Sequence, residues 1–332
     1  MGFFRRRRSE EKRWTRLFFT TDLHGSDDCF RKLITAASMY KADVLVIGGD
    51  ITGKMVVPIV RQPDGSYRCT FLDRERVLTT EEEVEKTVEL INRSGLYPYR
   101  TESREMDELG RSEQLVDELT KKLVVERVDS WVRLAEEKLG DAGGRVFISA
   151  GNDDYFEIDE VLERSSLVVN HNGRVVAVDE EHEMAGLGYA NETPWRCPRD
   201  ISEEELAAKI DEVVRQPRNV EQSIFCFHVP PVNSRLDTCP KLDGSVYPPR
   251  MITDATGRPV LHGAGSTAVR AAIERDQPLL GLHGHIHESR GVVNIGRTLA
   301  INPGSEYSEG ILRGAIVNLT SDGILSYQFT SG

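Results

Sequence analysis

From residue 17 to residue 50 the chain alternates apolar runs with one amphipathic stretch. Residues 17–21 are apolar or β-branched and close on Asp22-Leu23-His24. Ser26 stands where an N-cap would, and Phe30, Leu33, Ile34 and Ala37 follow at i, i+3, i+4 and i+7, which puts them on one helical face. A second apolar run, 44–47, breaks at Gly48-Gly49 and delivers Asp50. A helix between two buried strands is a βαβ unit, so these strands are predicted to be parallel neighbours.

The same figure recurs along the chain, each time with a polar group at the end of an apolar run. Residues 145–149 lead to Gly151-Asn152-Asp153-Asp154, residues 223–227 to His228, and residues 278–282 to His283-Gly284-His285-Ile286-His287. In open α/β sheets, ligands bind beyond the carboxyl ends of the strands. Five such strands laid side by side converge Asp22, His24, Asp50, Asn152, His228, His285 and His287 on one site.

Between these runs the pattern changes. Residues 55–60 and 67–72 flank Pro63-Asp64-Gly65 and predict a hairpin. Thr80-Glu81-Glu82-Glu83 is a capping box for a helix ending near Gly95, and a longer helical pattern runs over 112–140. Residues 54–144 therefore read as a mostly helical insertion, either a partial lid or ordinary outer-layer helices. Short β-rich segments at 167–169, 174–178 and 184–187 predict a mixed or antiparallel section. Ser202-Glu203-Glu204-Glu205 opens a helix that stops before Pro217, and another helix follows Ser266. Residues 228–265, rich in Pro, Gly and Asp, read as a long loop at the rim of a substrate pocket. A hairpin about Ser321-Asp322-Gly323 closes the chain. There is no internal repeat and no low-complexity linker, so the 332 residues read as one domain, with residues 1–14 as a flexible tail.

Composition narrows the function class. Hydrophobic residues make up 39% and charged residues 29%, which describes a globular chain, and no apolar stretch approaches the roughly 20 residues that span a bilayer. The five cysteines are odd in number, scattered and without a C-x-x-C pair, which reads as a reducing, cytoplasmic compartment; Cys226 is taken as a small core residue. The start of the chain lacks the features of a secretory signal, and Gly2 lacks the Ser or Thr that myristoylation favours four residues later, Arg6 standing there instead. Arg5 to Arg8 can touch nucleic acid or anionic lipid, yet a net charge of -12 disfavours a duplex binder. Metal sites tolerate it.

The clustered donors suit borderline divalent metals such as Mn, Fe, Zn or Ni. Seven groups with one shared between two ions supply roughly four contacts to each ion, and two-metal sites clamp an in-line phosphoryl displacement. A lone histidine at a strand end is more often a satisfied core or surface residue. His285 and His287, at i and i+2, point to opposite faces if extended, so both bind metal only from a loop or across two ions. The series D-x-H, G-D, G-N-D, H and G-H-x-H in this order is much more specific than any one member.

On these residues the chain resembles the calcineurin-like metallophosphoesterase superfamily, and within it the prokaryotic Icc-related branch. The likeness covers 18–50 and 145–307 and leaves the insertion outside. It implies an α/β fold, a four-layer α/β/β/α sandwich, around a dinuclear centre. In that reading Asp22, His24 and His287 hold one metal, Asn152, His228 and His285 the other, and Asp50 bridges. It further implies hydrolysis of a small phosphodiester or phosphomonoester by a metal-bridging hydroxide, with manganese first among the candidate metals. Many members carry His after the motif's Asn, where it contacts phosphate or protonates the leaving group; here Asp153 occupies that position. An ionised carboxylate repels a phosphate oxyanion, so Asp153 is protonated, faces away or serves another catalytic role, and the balance tilts toward phosphodiesters. His262 is a candidate substitute acid, and Asp154 is expected to orient a ligand by hydrogen bonding. A protein phosphatase fits less well, because that branch's phosphate-clamping arginines have no counterparts beside Asp50 or Asn152. A non-catalytic scaffold of the same fold and a nuclease are the alternatives. The oligomeric state is not readable.

Overall fold

The computed structural model describes residues 14–140 and 144–332, so the reading of the arginine-rich start as a tail lies outside the described residues. In chain order the elements are β1 (Thr15–Thr20), α1 (Asp27–Met39), β2 (Val44–Gly48), β3 (Val56–Arg61), β4 (Tyr67–Phe71), β5 (Arg74–Leu78), α2 (Glu81–Arg93), β6 (Tyr97–Glu102), α3 (Ser103–Leu109) and α4 (Glu113–Leu139). After these come β7 (Arg145–Ser149), α5 (Glu157–Glu163), β8 (Val168–Asn170), β9 (Arg174–Ala177), β10 (Glu183–Leu187), β11 (Ala190–Asn191), β12 (Asp200–Ile201) and α6 (Glu203–Val214). The last part holds β13 (Ile224–Phe227), β14 (Thr238–Pro240), β15 (Leu242–Asp243), β16 (Arg250–Met251), β17 (Leu261–Gly263), α7 (Thr267–Asp276), β18 (Leu280–Leu282), β19 (Gly291–Ile295), β20 (Thr298–Asn302), β21 (Arg313–Thr320) and β22 (Gly323–Ser331).

The strand-end groups are carried by two sheets rather than one. The first runs β22-β21-β1-β2-β7-β8 and the second β19-β20-β18-β13-β10-β9. As the βαβ pattern predicts, β1 and β2 pair in parallel, Leu17 opposite Val44 and Thr20 opposite Ile47. In the second sheet β13 lies parallel to both β10 and β18. The segment expected to be mixed or antiparallel divides between the sheets: β8 pairs in parallel with β7, whereas β9 is antiparallel to β10.

Alternation along the strands decides what each face buries. Leu17, Phe19, Val44 and Val46 face Ile224, Cys226, Leu280 and Leu282 in a core between the sheets. Phe18, Leu45, Ile47, Val146 and Ile148 point the other way, into a core shared with Phe30 and Leu33 of α1, Val128 and Trp131 of α4, and Ile158 of α5. Phe30 and Trp131 stack with ring centroids 4.4 Å apart. On the far side of the second sheet, Phe225 and Phe227 pack with Leu206 and Ile210 of α6 and Val269 and Ile273 of α7. Each large side chain buried in this way contributes roughly 1.5–3 kcal/mol of transfer free energy.

The insertion has more helix than strand, in α2, α3 and α4, and the predicted hairpin is β3 and β4. It contains a four-stranded sheet, β5-β4-β3-β6, packed on α2 through Val57, Ile59, Phe71, Val84 and Ile91. β5 was hidden because its link to β4 turns on Leu72 and Asp73, both at positive φ, rather than on the Gly or Asn such turns favour. The 228–265 segment is likewise not a plain loop, since β14 pairs with β17 and β15 with β16.

Candidate metal centre

The loops that leave the strands are held in unusual backbone conformations. Asp22, His24, Asp50 and His285 all have positive φ, between 41° and 66°. Non-glycine residues adopt this region at a cost and gather in it at functional sites. Gly49 and Gly151 permit the close approach that follows: a side chain on Gly49 would run into the His228 ring, and one on Gly151 into Asp50. Backbone bonds then lock the first two loops together, Asp22 N to Gly49 O at 3.0 Å and His24 N to Asp50 O at 2.9 Å.

All seven sequence-predicted donors come together. One donor atom from each of Asp22, His24 and His287 lies within 4.8 Å of the other two, and the same holds for Asp50, His228 and His285. Asn152 joins the second group, its Oδ1 2.9 Å from His285 Nδ1. The two groups adjoin: His24 Nε2 is 3.8 Å from Asp50 Oδ2, and His228 Nε2 is 3.9 Å from Asp22 Oδ1. His285 and His287 serve different groups, and the turn that carries them, with His285 at φ 66°, removes the conflict expected of an extended i, i+2 pair. The His285 amide donates to both Asp22 oxygens, at 3.0 and 3.1 Å.

The electrostatics call for positive charge. Asp22 and His228 are fully buried and Asp50 nearly so. Burial favours the neutral carboxyl, yet the imidazoles of His287 and His228 hold Asp22, and those of His228 and His24 hold Asp50, below the ordinary carboxylate range. Burial favours a neutral ring at His228, but Asp50 and Asp22 push it up to about 10. His285 goes the other way, held by burial at about 4. His228 Nδ1 lies 2.9 Å from Gly48 O, which fixes the ring, while Nε2 sits 3.2 Å from Asp50 Oδ2 without a hydrogen-bond partner. Two buried carboxylates, four converging imidazoles and an orphaned buried ring nitrogen fit divalent cations, whose charge replaces that of protonated rings.

Several contributors had no local signal. Asp200 accepts from Asn152 Nδ2 at 2.8 Å and turns the amide oxygen toward His285. Tyr307 packs on the His24 ring with centroids 4.7 Å apart. Asp154, expected to orient a ligand by hydrogen bonding, acts on the backbone instead: its buried carboxylate accepts from the amides of Ile51 (3.0 Å), Thr52 (2.8 Å) and Gly151 (2.7 Å), in the loops that carry Asp50 and Asn152. Asp153 does not face phosphate unpaired, because Lys54 binds its Oδ1 and Cys197 Sγ donates to the same atom at 3.0 Å. His262 lies exposed on β17, 3.8 Å from Cys239 Sγ, outside the cluster. A cleft of about 350 Å³ opens beside His287, walled by residues of 287–290 and 303–313.

The insertion touches these loops directly. Tyr97 of β6 accepts from the Gly53 amide at 3.1 Å. Arg127 of α4 donates to Gly25 O and Asn92 Oδ1 and lies over the Tyr97 ring, 4.9 Å from its centroid.

The fold recurs in solved proteins, over nearly their whole length. Two solved crystal structures align over 96% of this chain and 99% of theirs, one at 18% identity with a TM-score of 0.59, the other, from Thermus thermophilus, at 12% identity and 0.52. A more remote neighbour, an archaeal phosphodiesterase, aligns over 96% of this chain and all of that one at 10% identity and a TM-score of 0.36, too low to bear on activity. In sequence, the chain is 29% identical over 171 residues to an uncharacterised protein of Methanocaldococcus jannaschii, covering 50% of this chain and 68% of that protein. No protein-family profile matches the chain. Among the described residues no helix is long and apolar enough to cross a membrane.

Proposed function

We propose that this protein is a metal-dependent phosphoesterase that hydrolyses a small phosphate ester, with phosphodiesters favoured over phosphomonoesters. The observation that carries the reading is the pair of adjoining donor groups, one buried carboxylate in each, at the ends of strands from two sheets. The two helical cores flanking the paired sheets fit the four-layer sandwich expected of such enzymes. Asp22, His24 and His287 would hold one divalent ion, Asn152, His228 and His285 the other, with Asp50 shared and manganese the first candidate. When bound, such a pair supplies Lewis-acid stabilisation of phosphoryl charge and a hydroxide nucleophile near neutral pH.

The chain's own part is positioning and proton control. Gly48 O engages His228 Nδ1 and leaves Nε2 as the donor atom. Asp200 keeps the Asn152 oxygen facing inward, and Tyr307 limits rotation of the His24 ring. Asp153 is held beside Asp50 by a 2.9 Å bond from its amide to Asp50 Oδ1.

The test is hydrolysis of bis-p-nitrophenyl phosphate and p-nitrophenyl phosphate by chelator-stripped protein, with Mn, Ni, Zn, Fe or Mg added back. Metal-restored turnover that His228→Ala abolishes supports the reading, and the ratio of the two rates sets the ester class. Stoichiometric metal binding without turnover of either ester favours a metal-binding scaffold instead.

A further inference from the structure

Lys54 follows Asp50 by four residues, at the end of a loop anchored by Asp154 and Tyr97. Its ammonium binds Asp153 Oδ1, and neither side chain is sealed: Lys54 is 33% and Asp153 22% exposed. Asp153 is fixed from three further sides. Its amide donates to Asp50 Oδ1, Cys197 Sγ donates to its carboxylate, and its Oδ2 lies 3.7 Å from His24 Nδ1. The pair therefore stands at the mouth of the donor cluster, against members of both groups. Burial pulls the ammonium's pKa down, but Asp153 more than offsets it, so Lys54 carries its charge throughout the physiological range.

This geometry resolves the difficulty of a carboxylate at position 153. An ionised Asp153 facing a phosphate ester would repel it, and a cation held on that carboxylate cancels the repulsion. An ammonium has three donors, and one salt bridge leaves two for another anion. A charge-assisted hydrogen bond to a phosphate oxygen is among the stronger contacts a side chain makes. We infer that Lys54 is the substrate-binding cation of this site, holding a non-bridging phosphate oxygen, with Asp153 as the tether that aims it and whose charge it neutralises. The inference rests on the phosphoesterase reading for its substrate class, and it assigns Lys54 and Asp153 to binding rather than to proton transfer.

Inorganic phosphate is the probe, titrated calorimetrically into manganese-loaded protein. Lys54→Met is expected to weaken phosphate binding roughly 10- to 100-fold, the range for a hydrogen bond to a charged group, with manganese stoichiometry unchanged. Lys54→Arg should stay within severalfold of the wild type. The diagnostic variant is Lys54→Met combined with Asp153→Asn: removing the unbalanced carboxylate should recover the share of the loss due to repulsion, while the share due to the ammonium's own hydrogen bond stays lost, a split that a merely structural salt bridge would not produce. In turnover, Lys54→Met should raise KM more than it lowers kcat. Phosphate affinity in Lys54→Met within twofold of wild type, either full recovery or none in the double variant, or no phosphate binding by the wild type would each overturn the inference. Because binding is read without turnover, a wild type that binds phosphate through Lys54 but cleaves neither ester separates this inference from the catalytic reading.

Discussion

Replacing Asp154 by alanine isolates how much the site depends on groups that never touch a ligand. The carboxylate is fully buried and accepts from three backbone amides, those of Ile51, Thr52 and Gly151, and also from the Thr52 hydroxyl at 2.5 Å. Truncation leaves three buried N–H groups without partners. At the lower end of the unsatisfied-donor penalty, about 1 kcal/mol each because water can enter the space left behind, the loss is about 3–4 kcal/mol. That is a large share of the roughly 5–15 kcal/mol that hold a typical domain together. At about 2 °C per kcal/mol for a chain of this size, the melting temperature should fall by about 6–8 °C. The two loops carry Asp50 and Asn152, so metal affinity should also fall, by roughly 10- to 100-fold. Differential scanning calorimetry of chelator-stripped protein reads the first effect, and a manganese titration of the folded variant reads the second. Asp154→Asn, which keeps one oxygen, should fall between. A metal-free Asp154→Ala protein that melts within 2 °C of the wild type would refute the claim that this carboxylate holds the loops.

Other consequences can be checked in parallel. Asp50→Ala should abolish both metal binding and ester hydrolysis, since Asp50 stands between the two donor groups; full activity in that variant would sink the site assignment. Asp200→Asn places a donor against Asn152 Nδ2 and should weaken manganese binding roughly tenfold or more with little change in urea midpoint. Arg127→Met strips Gly25 O and Asn92 Oδ1 of their donor and should cost about 2–4 kcal/mol in urea unfolding, with Arg127→Lys recovering only part. His171, buried against Ile47 O, has its pKa held down to about 4 by burial, against about 6.5 unfolded. The unfolded chain therefore takes up the proton first. The histidine's contribution is complete above pH 6.5 and falls as pH drops toward 4, by about 2 kcal/mol at pH 5. Denaturation of wild type and His171→Gln at pH 7 and pH 5 should show the smaller acid loss in the variant.

What the sequence displayed was the local part of this design. Apolar runs that break at glycine and end on Asp, Asn or His are visible residue by residue, because strand burial, the sharp turn and the ligand all fall within a few positions. The parallel pairing of β1 with β2 followed from the helix between them. The groups brought in from elsewhere in the chain were not visible. Nothing in Gly53-Lys54-Met55 announces that Lys54 will meet Asp153, nor does Trp195-Arg196-Cys197 announce a thiol on the same carboxylate. The division of five ligand strands between two sheets is equally non-local, since a run such as 224–227 reads the same in either sheet. β6 escaped because Tyr97-Pro98-Tyr99-Arg100-Thr101-Glu102 mixes a proline with charges; it tolerates both as the edge strand of its sheet, paired on one side only.

Each donor group draws on both sheets: Asp22 and His24 leave β1 and Asp50 leaves β2, whereas His228 leaves β13 and His285 and His287 follow β18. His24 and His287 are 263 residues apart in sequence, and Asn152 and His285 are 133 apart. A cation held by either group is thus a cross-link closing a very long loop, and the entropy removed from an open chain by such a closure grows with the logarithm of its length. Binding and folding then become one linked equilibrium, in which saturating metal stabilises the native state in proportion to the logarithm of its concentration over the dissociation constant. Chelation would cut the fasteners between the two halves, leaving the apolar seam of Leu17, Phe19, Cys226 and Leu282 to hold them in register.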